Sequence, residues 1–362
     1  MNKILLIGPF PNPTTGVSLA NKIVYQGLNL VDDIKVDFIN TSYYKFDENL
    51  GAFSLSKFFF NLKLALYSYK IFKSDIVYIT PGQTFFGVLK YAVFIILTSL
   101  LNKQLITHIH GNYLGKEYQN LKGVKKKIFK NLLNKTSKGI VLSESLNENM
   151  SPFIKDEHIY VLYNFVENYL FVDLEDIALK QTNPTPKIIF LSNLMEEKGI
   201  FELLEALKIL EDEGFEYKAQ IAGNIDAKHV HKTEKLFKSL KHVDYVGVVS
   251  GNQKKTLLLW GNIFILPTYY EMEGQPISIL EAMATGNVVL TTNHSGIPDV
   301  FKDAVNGYYV DKKSPVDIAS KIKMTTLNTT LANKIRLENH LTAKTKYRVD
   351  NFIENMLKIF KT

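Results

Sequence analysis

Short runs of β-branched and aromatic residues alternate with helically spaced apolar residues along nearly the whole 362-residue chain. Strands that read as continuous apolar runs must be covered on both faces, which calls for parallel pairing through helical crossovers. In the first half the strand candidates are Lys3–Ile7, Lys35–Ile39, Asp75–Ile79, Gln104–His110, Gly139–Ser143 and Tyr160–Tyr163. In the second half they are Lys187–Ser192, Tyr217–Ala222, Asp244–Val248, Ile263–Leu266, Val288–Thr291 and Gly307–Val310. The reading is an α/β chain of two doubly wound, Rossmann-like domains. Between the two sets lies Asn168–Pro186, ending Gln181-Thr182-Asn183-Pro184-Thr185-Pro186, whose prolines and polar residues suit a linker. The expected division is a first domain at 1–168, a linker at 169–186 and a second domain at 187–345. Ligands in open α/β sheets bind beyond the strand carboxyl ends, so function is expected in strand-to-helix loops facing an interdomain cleft.

Composition removes several chemistries. The chain has no cysteine, which excludes disulfides, thiolate metal sites and a cysteine nucleophile. It carries 41 Lys but only two Arg, Arg336 and Arg348, so lysine must supply most cationic chemistry; a codon-composition bias is the competing explanation. Formal charge is +7, and residues 1–170 hold 19 Lys against 12 Asp and Glu, while 171–362 hold 24 of each sign. The start, Met1 to Gly8, reads as a buried strand rather than a secretory leader. The most apolar run, Tyr91 to Leu101, is 11 residues long, against the ~20 that span a bilayer.

Three loops have residues suited to chemistry. After the first strand, Gly8-Pro9-Phe10-Pro11-Asn12-Pro13-Thr14-Thr15-Gly16-Val17-Ser18 leads into an amphipathic run. Gly16 at a helix start either lets an anion approach free N–H groups or is an ordinary turn glycine. At the end of another strand stand His108 and His110, which period two puts on one face. A metal pair finds no third ligand nearby in sequence. His110 beside Gly111 is either a hydrogen-bonding group at a substrate or a core histidine. The third loop follows Ile263–Leu266: Glu273-Gly274-Gln275-Pro276-Ile277-Ser278-Ile279-Leu280-Glu281-Ala282-Met283-Ala284-Thr285-Gly286. A helix starting near Pro276 and stopping at Gly286 aims the N–H groups of Ile277 and Ser278 at a ligand, with Glu273 before it and Glu281 in its second turn. Its apolar neighbours make Glu281 a buried carboxylate in need of a partner.

This last segment resembles the Glu-(seven residues)-Glu signature of retaining GT-B glycosyltransferases, the group often called family 4. Agreement in order and spacing extends over roughly residues 3–326: the Gly16 loop, His110-Gly111, Val141-Leu142-Ser143-Glu144, Asn164-Phe165-Val166, Glu197-Lys198-Gly199, Ile221-Ala222-Gly223-Asn224, Val246-Gly247 and Ser295-Gly296-Ile297-Pro298-Asp299. The resemblance implies transfer of a hexosyl group from a nucleotide-diphosphate sugar with retained anomeric configuration, without metal or any cofactor beyond the donor substrate. It implies that His110, Lys198 and Glu273 act at the reacting sugar and diphosphate. Gly16, Asn193, Lys198, Val246, Gly274, Gln275, Ile277, Ser278 and Glu281 would hold the donor, with Glu281 on the ribose hydroxyls and Val246-Gly247 meeting the base through backbone groups. The C-terminal residues 346–362 would form a helix returning to the first domain. One departure stands out: Ser192-Asn193 occupies the place of the family's Gly-Arg, so the second cationic phosphate ligand is missing.

The first-half charge concentrates in Lys116, Lys122, Lys125, Lys126, Lys127, Lys130, Lys135 and Lys138 among Leu121, Val124, Ile128, Phe129, Leu132 and Leu133, which reads as one basic amphipathic helix. It is either a solvated face or an attachment to an anionic membrane surface; Leu55–Phe72, with Phe58, Phe59, Phe60, Tyr67 and Tyr69, is a second such stretch. Nucleic acid is not expected, because no reader motif is present. The expectation is a cytoplasmic glycosyltransferase, peripheral on the inner face of the membrane, using a lipid-linked or oligosaccharide acceptor in surface polysaccharide assembly. Two rivals stay open: a nucleotide-sugar epimerase of GT-B-like fold, and a non-catalytic nucleotide-sugar-binding subunit.

Overall fold

The computed structural model describes residues 2–43, 60, 62–180 and 185–361; of the stretches named above, Leu55–Phe59 (with Phe58 and Phe59), Asn61 and Gln181–Pro184 lie outside them. All twelve strand candidates correspond to strands, with ends displaced by at most two residues. The chain divides into two compact units, Met1–Asn164 with Met272–Gln275 and Asp350–Thr362, and Phe165–Glu271 with Pro276–Val349.

In the first unit the strands are β1 (Asn2–Gly8), β2 (Ile34–Asn40), β3 (Ile76–Ile79), β4 (Gln104–Ile109), β5 (Lys138–Val141) and β6 (Ile159–Val161), ordered β2-β1-β3-β4-β5-β6 and parallel throughout. The interior strands β3 and β5 are buried at every residue, whereas edge strand β2 is buried only at Ile39. With the right-handed crossovers usual for parallel strands, this strand order sets helix Gly16–Leu28 on one face and the helical segments Leu66–Lys73, Phe85–Leu89, Ala92–Leu100, Leu114–Asn120 and Gly123–Leu133 on the other. The core between sheet and this second layer runs through Leu5, Ile7, Val77, Ile79, Leu105 and Val141 against Ile71, Val88, Ile95 and Phe129. On the opposite face the final helix, Val349–Lys361, brings Ile353 onto Gly27, Phe360 onto Tyr78 and the Ile359 carbonyl within 2.8 Å of Lys138 Nζ.

The single basic helix expected over Lys116–Lys138 is instead two helices. Lys122 is extended and Gly123 takes φ +56°, so the chain turns between Asn120 and Gly123. Lys138 opens β5 with its side chain buried, and burial lowers its pKa.

In the second unit β7 (Lys187–Leu191), β8 (Lys218–Ala222), β9 (Val243–Gly247), β10 (Ile263–Leu266), β11 (Val288–Thr291) and β12 (Gly307–Tyr309) are ordered β12-β11-β10-β7-β8-β9, all parallel. Counted from β7 this is the 3-2-1-4-5-6 order of dinucleotide-binding sheets, and it reverses direction between β7 and β10. Helix Ile200–Asp212 buries Ile200, Leu203, Leu204, Leu207 and Leu210, one helical stripe. Before β7, helix Leu174–Leu179 lies within the stretch read as linker, with Ile177 buried against Gly286. Among the described residues no helix is long and apolar enough to cross a membrane.

Candidate functional site

In the second unit the order reversal between β7 and β10 puts the loops after these two strands side by side. Gly199 makes the junction: it holds φ +78°, and a Cβ there would lie 2.5 Å from the Pro267 carbonyl oxygen at the end of β10. Tyr269 N–H donates to Glu197 O at 2.8 Å, tying the two loops again. Lys198 therefore sits on this junction, its Nζ 5.1 Å from the Tyr270 ring centroid. Asn193 is exposed two residues beyond β7. Neighbouring β8 closes in through Gly223, where φ is +142° and a Cβ would overlap Ser192 O.

Helix Ile277–Ala284 follows β10, with Pro276 as its N-cap and no side chain capping its first N–H groups. Ile277 and Ser278 thus present backbone donors that lack intrahelical partners, in the half of the helix dipole that favours an anion. Glu281 is 3% exposed. Its Oε1 accepts from Lys254 Nζ at 2.5 Å, and the same ammonium donates to Glu167 Oε2 at 3.1 Å. Burial lifts the Glu281 carboxyl above its ordinary pKa, while Lys254 pulls it back and Glu167 adds to the lift. Burial works against the Lys254 charge too, but Glu281 and Glu167 outweigh it and hold that pKa above its ordinary value. Val246 lies apart, exposed near the end of edge strand β9, where Gly247 is required by its φ of +73° alone.

The first unit gathers His110, Glu273, Gly274 and Gln275 at the carboxyl ends of β4 and β5. A Cβ on Gly274 would lie 2.9 Å from His110 O and 3.0 Å from Gly111 Cα, so two glycines permit this backbone approach. Gln83 Nε2 donates to Met272 O at 3.2 Å while its Oε1 accepts from Tyr113 N–H at 2.6 Å. Both ends of the Gln275 amide are engaged, accepting from Asn164 N–H at 2.6 Å and donating to Leu142 O at 3.1 Å. Gln275 is thus a tether of this loop, and Glu273 within it is buried. The His108 and His110 rings do share a face, with centroids 3.9 Å apart. His108 Nδ1 meets the Tyr78 hydroxyl at 2.6 Å, whereas His110 Nε2 is buried without a hydrogen-bond partner. Burial pulls His110 down to about 3 and, with His110 beside it, His108 well below its ordinary value, so both imidazoles are neutral near pH 7. Among the described residues no three His, Asp or Glu cluster to hold a metal.

Gly16 opens helix Gly16–Leu28, one residue after the N-cap Thr15. Thr15 Oγ1 accepts from Ser18 N–H at 3.2 Å and Ser18 Oγ accepts from Thr15 N–H at 2.7 Å, a reciprocal cap that fixes the loop around the exposed Gly16. Sequence reasoning missed Lys254, Glu167 and Gln83. The only signal for Lys254 was the unmet need of Glu281 for a cation.

Residues 174–339 match the family model described as glycosyl transferases group 1. An uncharacterized glycosyltransferase of Methanocaldococcus jannaschii is 27% identical over 234 residues, covering 61% of this chain and 59% of the relative. The capsular polysaccharide biosynthesis glycosyltransferase CapM of Staphylococcus aureus is 28% identical over 202 residues, 51% of this chain and 50% of the relative. The chain thus spans a little over half the length of the first relative and half that of the second. Among solved structures, the Anabaena HepE protein crystallised with UDP-glucose aligns over 100% of both chains with TM-score 0.76 at 17% identity, a likeness of fold. The two parallel six-stranded sheets, each with its helices, are two Rossmann-like α/β domains of the GT-B kind.

Proposed function

We propose that this chain is a retaining, metal-independent glycosyltransferase that moves a hexosyl group from a nucleotide-diphosphate sugar to a glycan or lipid-linked glycan acceptor in surface polysaccharide biosynthesis, at the cytoplasmic face of the membrane. The observation that carries the reading is the β7/β10 junction: a lysine, uncapped helix N–H groups and a buried carboxylate at the order reversal of one sheet. Lys198 and the N–H groups of Ile277 and Ser278 stabilise the diphosphate as it leaves. Glu281, whose carboxyl Lys254 draws back toward the ionised form against burial, accepts from the ribose hydroxyls, and Val246-Gly247 meets the base. Gly16 lets backbone amides approach the phosphates.

Glu273 and the neutral His110, whose Nε2 has no partner, hydrogen-bond the transferred sugar. Gly274 and Gln275 serve this step by fixing the loop that carries Glu273. The acceptor hydroxyl oxygen bonds to the anomeric carbon as the bond to the phosphate oxygen breaks; that oxygen keeps the electron pair and takes the hydroxyl proton. Because attack and departure share one face, configuration is retained. The polysaccharide context is supported by the capsular relative's name. Asn193 supplies a neutral hydrogen bond where the resembling family has a cation.

The test is 1H NMR of the sugar released from, or transferred out of, UDP-, GDP- and ADP-hexoses, read before mutarotation. The donor's anomeric configuration in the first-formed product is expected. The opposite anomer contradicts retention, an epimerised sugar identifies the epimerase, and binding without turnover identifies a binding subunit.

A further inference from the structure

Lys180 follows helix Leu174–Leu179 in the stretch read as linker, yet it is only 7% exposed. Its Nζ donates to Leu258 O at 2.7 Å and to Asn287 Oδ1 at 3.2 Å. Asn287 is fully buried, and its Nδ2 lies 3.1 Å from Leu258 O, 3.2 Å from Ala282 O and 2.9 Å from Thr285 Oγ1. Leu258 is in the last turn of helix Gly251–Trp260 and Ala282 in the last turn of helix Ile277–Ala284, where carbonyls lack intrahelical donors. One lysine and one asparagine therefore clasp the carboxyl ends of these two helices together. Helix Thr329–Lys346 secures the same junction: Asn339 Nδ2 donates to Asn287 O at 2.8 Å, and His340 Nδ1 lies 2.7 Å from Ala284 O.

Burying an amine and an amide is costly, and an apolar pair of like size packs such a place more cheaply unless the donors fix a geometry. The geometry they fix lies in the same turns. Leu258 is four residues after Lys254 on one helix, and Ala282 directly follows Glu281 on the other; between them Lys254 Nζ meets Glu281 Oε1 at 2.5 Å. A slip of either helix that opens the clasp therefore parts the ion pair. Burial, with Arg336 adding to it, pulls the Lys180 pKa well below its ordinary value while Asp176 opposes this. Charged or neutral, the amine keeps N–H groups to donate. We infer that Lys180 and Asn287 are positioning residues, setting the register of helix Gly251–Trp260 on helix Ile277–Ala284 and so holding Lys254 against Glu281. The use of that pair at a ribose rests on the proposed function, but the test needs no nucleotide, so failure of the donor reading and failure of this one are told apart.

The experiment titrates Glu281 by carbon NMR of the full chain labelled at the glutamate carboxyl carbons, its resonance assigned by its loss in Glu281→Gln. Lys254 draws the Glu281 pKa down against burial and against Glu167, so loosening the pair raises the midpoint. Lys180→Met is expected to raise it by about one pH unit, a tenfold change in proton affinity, and Asn287→Ala, which alters no charge, to raise it likewise. In a Lys254→Met background, Lys180→Met is expected to add nothing, because it acts through Lys254. Ile322→Ala, which truncates a buried side chain of helix Pro315–Leu327, is expected to lower stability and leave the midpoint in place. Circular dichroism melting shows which variants fold, and either clasp variant decides the matter alone. An unmoved midpoint in a folded clasp variant overturns the inference. So does an equal rise in Ile322→Ala, which makes the effect one of stability alone. A full rise by Lys180→Met in the Lys254→Met background overturns it as well, since the lysine then acts on Glu281 through its own charge.

Discussion

A carboxylate buried as deeply as that of Glu281, 3% exposed, keeps its charge only with a cation in contact. Lys254 meets it at 2.5 Å. Replacing Lys254 with Met leaves Glu281 and Glu167 without that charge and is expected to cost about 3 kcal/mol in urea unfolding. The same change has a pH signature. Burial already raises the Glu281 pKa, and removing the cation that opposes this raises it further. If the ribose hydroxyls need the ionised form, donor affinity in Lys254→Met falls away at a higher pH on acidification than in the wild type, as titration calorimetry across pH 5 to 8 would read. An unmoved midpoint would mean that Lys254 does not set the charge of Glu281. The need of Glu281 for a partner was legible from its apolar helix, but the partner, 27 positions away, was not, because only the packed sheet brings helix Gly251–Trp260 to it. Gln275 was read as a donor ligand from its motif, and its two amide bonds to Asn164 and Leu142 depend on contacts no spacing encodes.

At the scale of elements, the strands were legible because both-sides-buried strands such as β10 are plain apolar runs. Helix ends within the basic stretch were not: lysine periodicity continues across Leu121 and Lys122 while the backbone turns at Gly123. The glycines that allow close approach were visible as letters without their reasons. Gly223 tests this, since it lets the end of β8 lie against Ser192 O at a φ of +142°. Gly223→Ala is expected to destabilise the second unit by more than ~2 kcal/mol and to abolish donor binding by displacing the loop from Ser192 to Lys198. Normal stability, read by chemical denaturation, would show that β7 and β8 tolerate the separation.

For the whole molecule, the lysine excess of the first half resolves into one helical layer of the first unit, while the charge-balanced half builds the other sheet. Each unit has its own core, so heat unfolding need not be a single transition. The only tryptophan, Trp260, ends helix Gly251–Trp260 in the second unit and reports that unit alone. The central claim, that the second unit holds a nucleoside diphosphate at Lys198, is therefore tested by Trp260-detected melting with UDP, GDP and ADP. One nucleotide is expected to stabilise the wild type by about 2.7 kcal/mol at a hundredfold excess over Kd, and Lys198→Ala much less. No shift with any of the three, or equal shifts in both proteins, would contradict it.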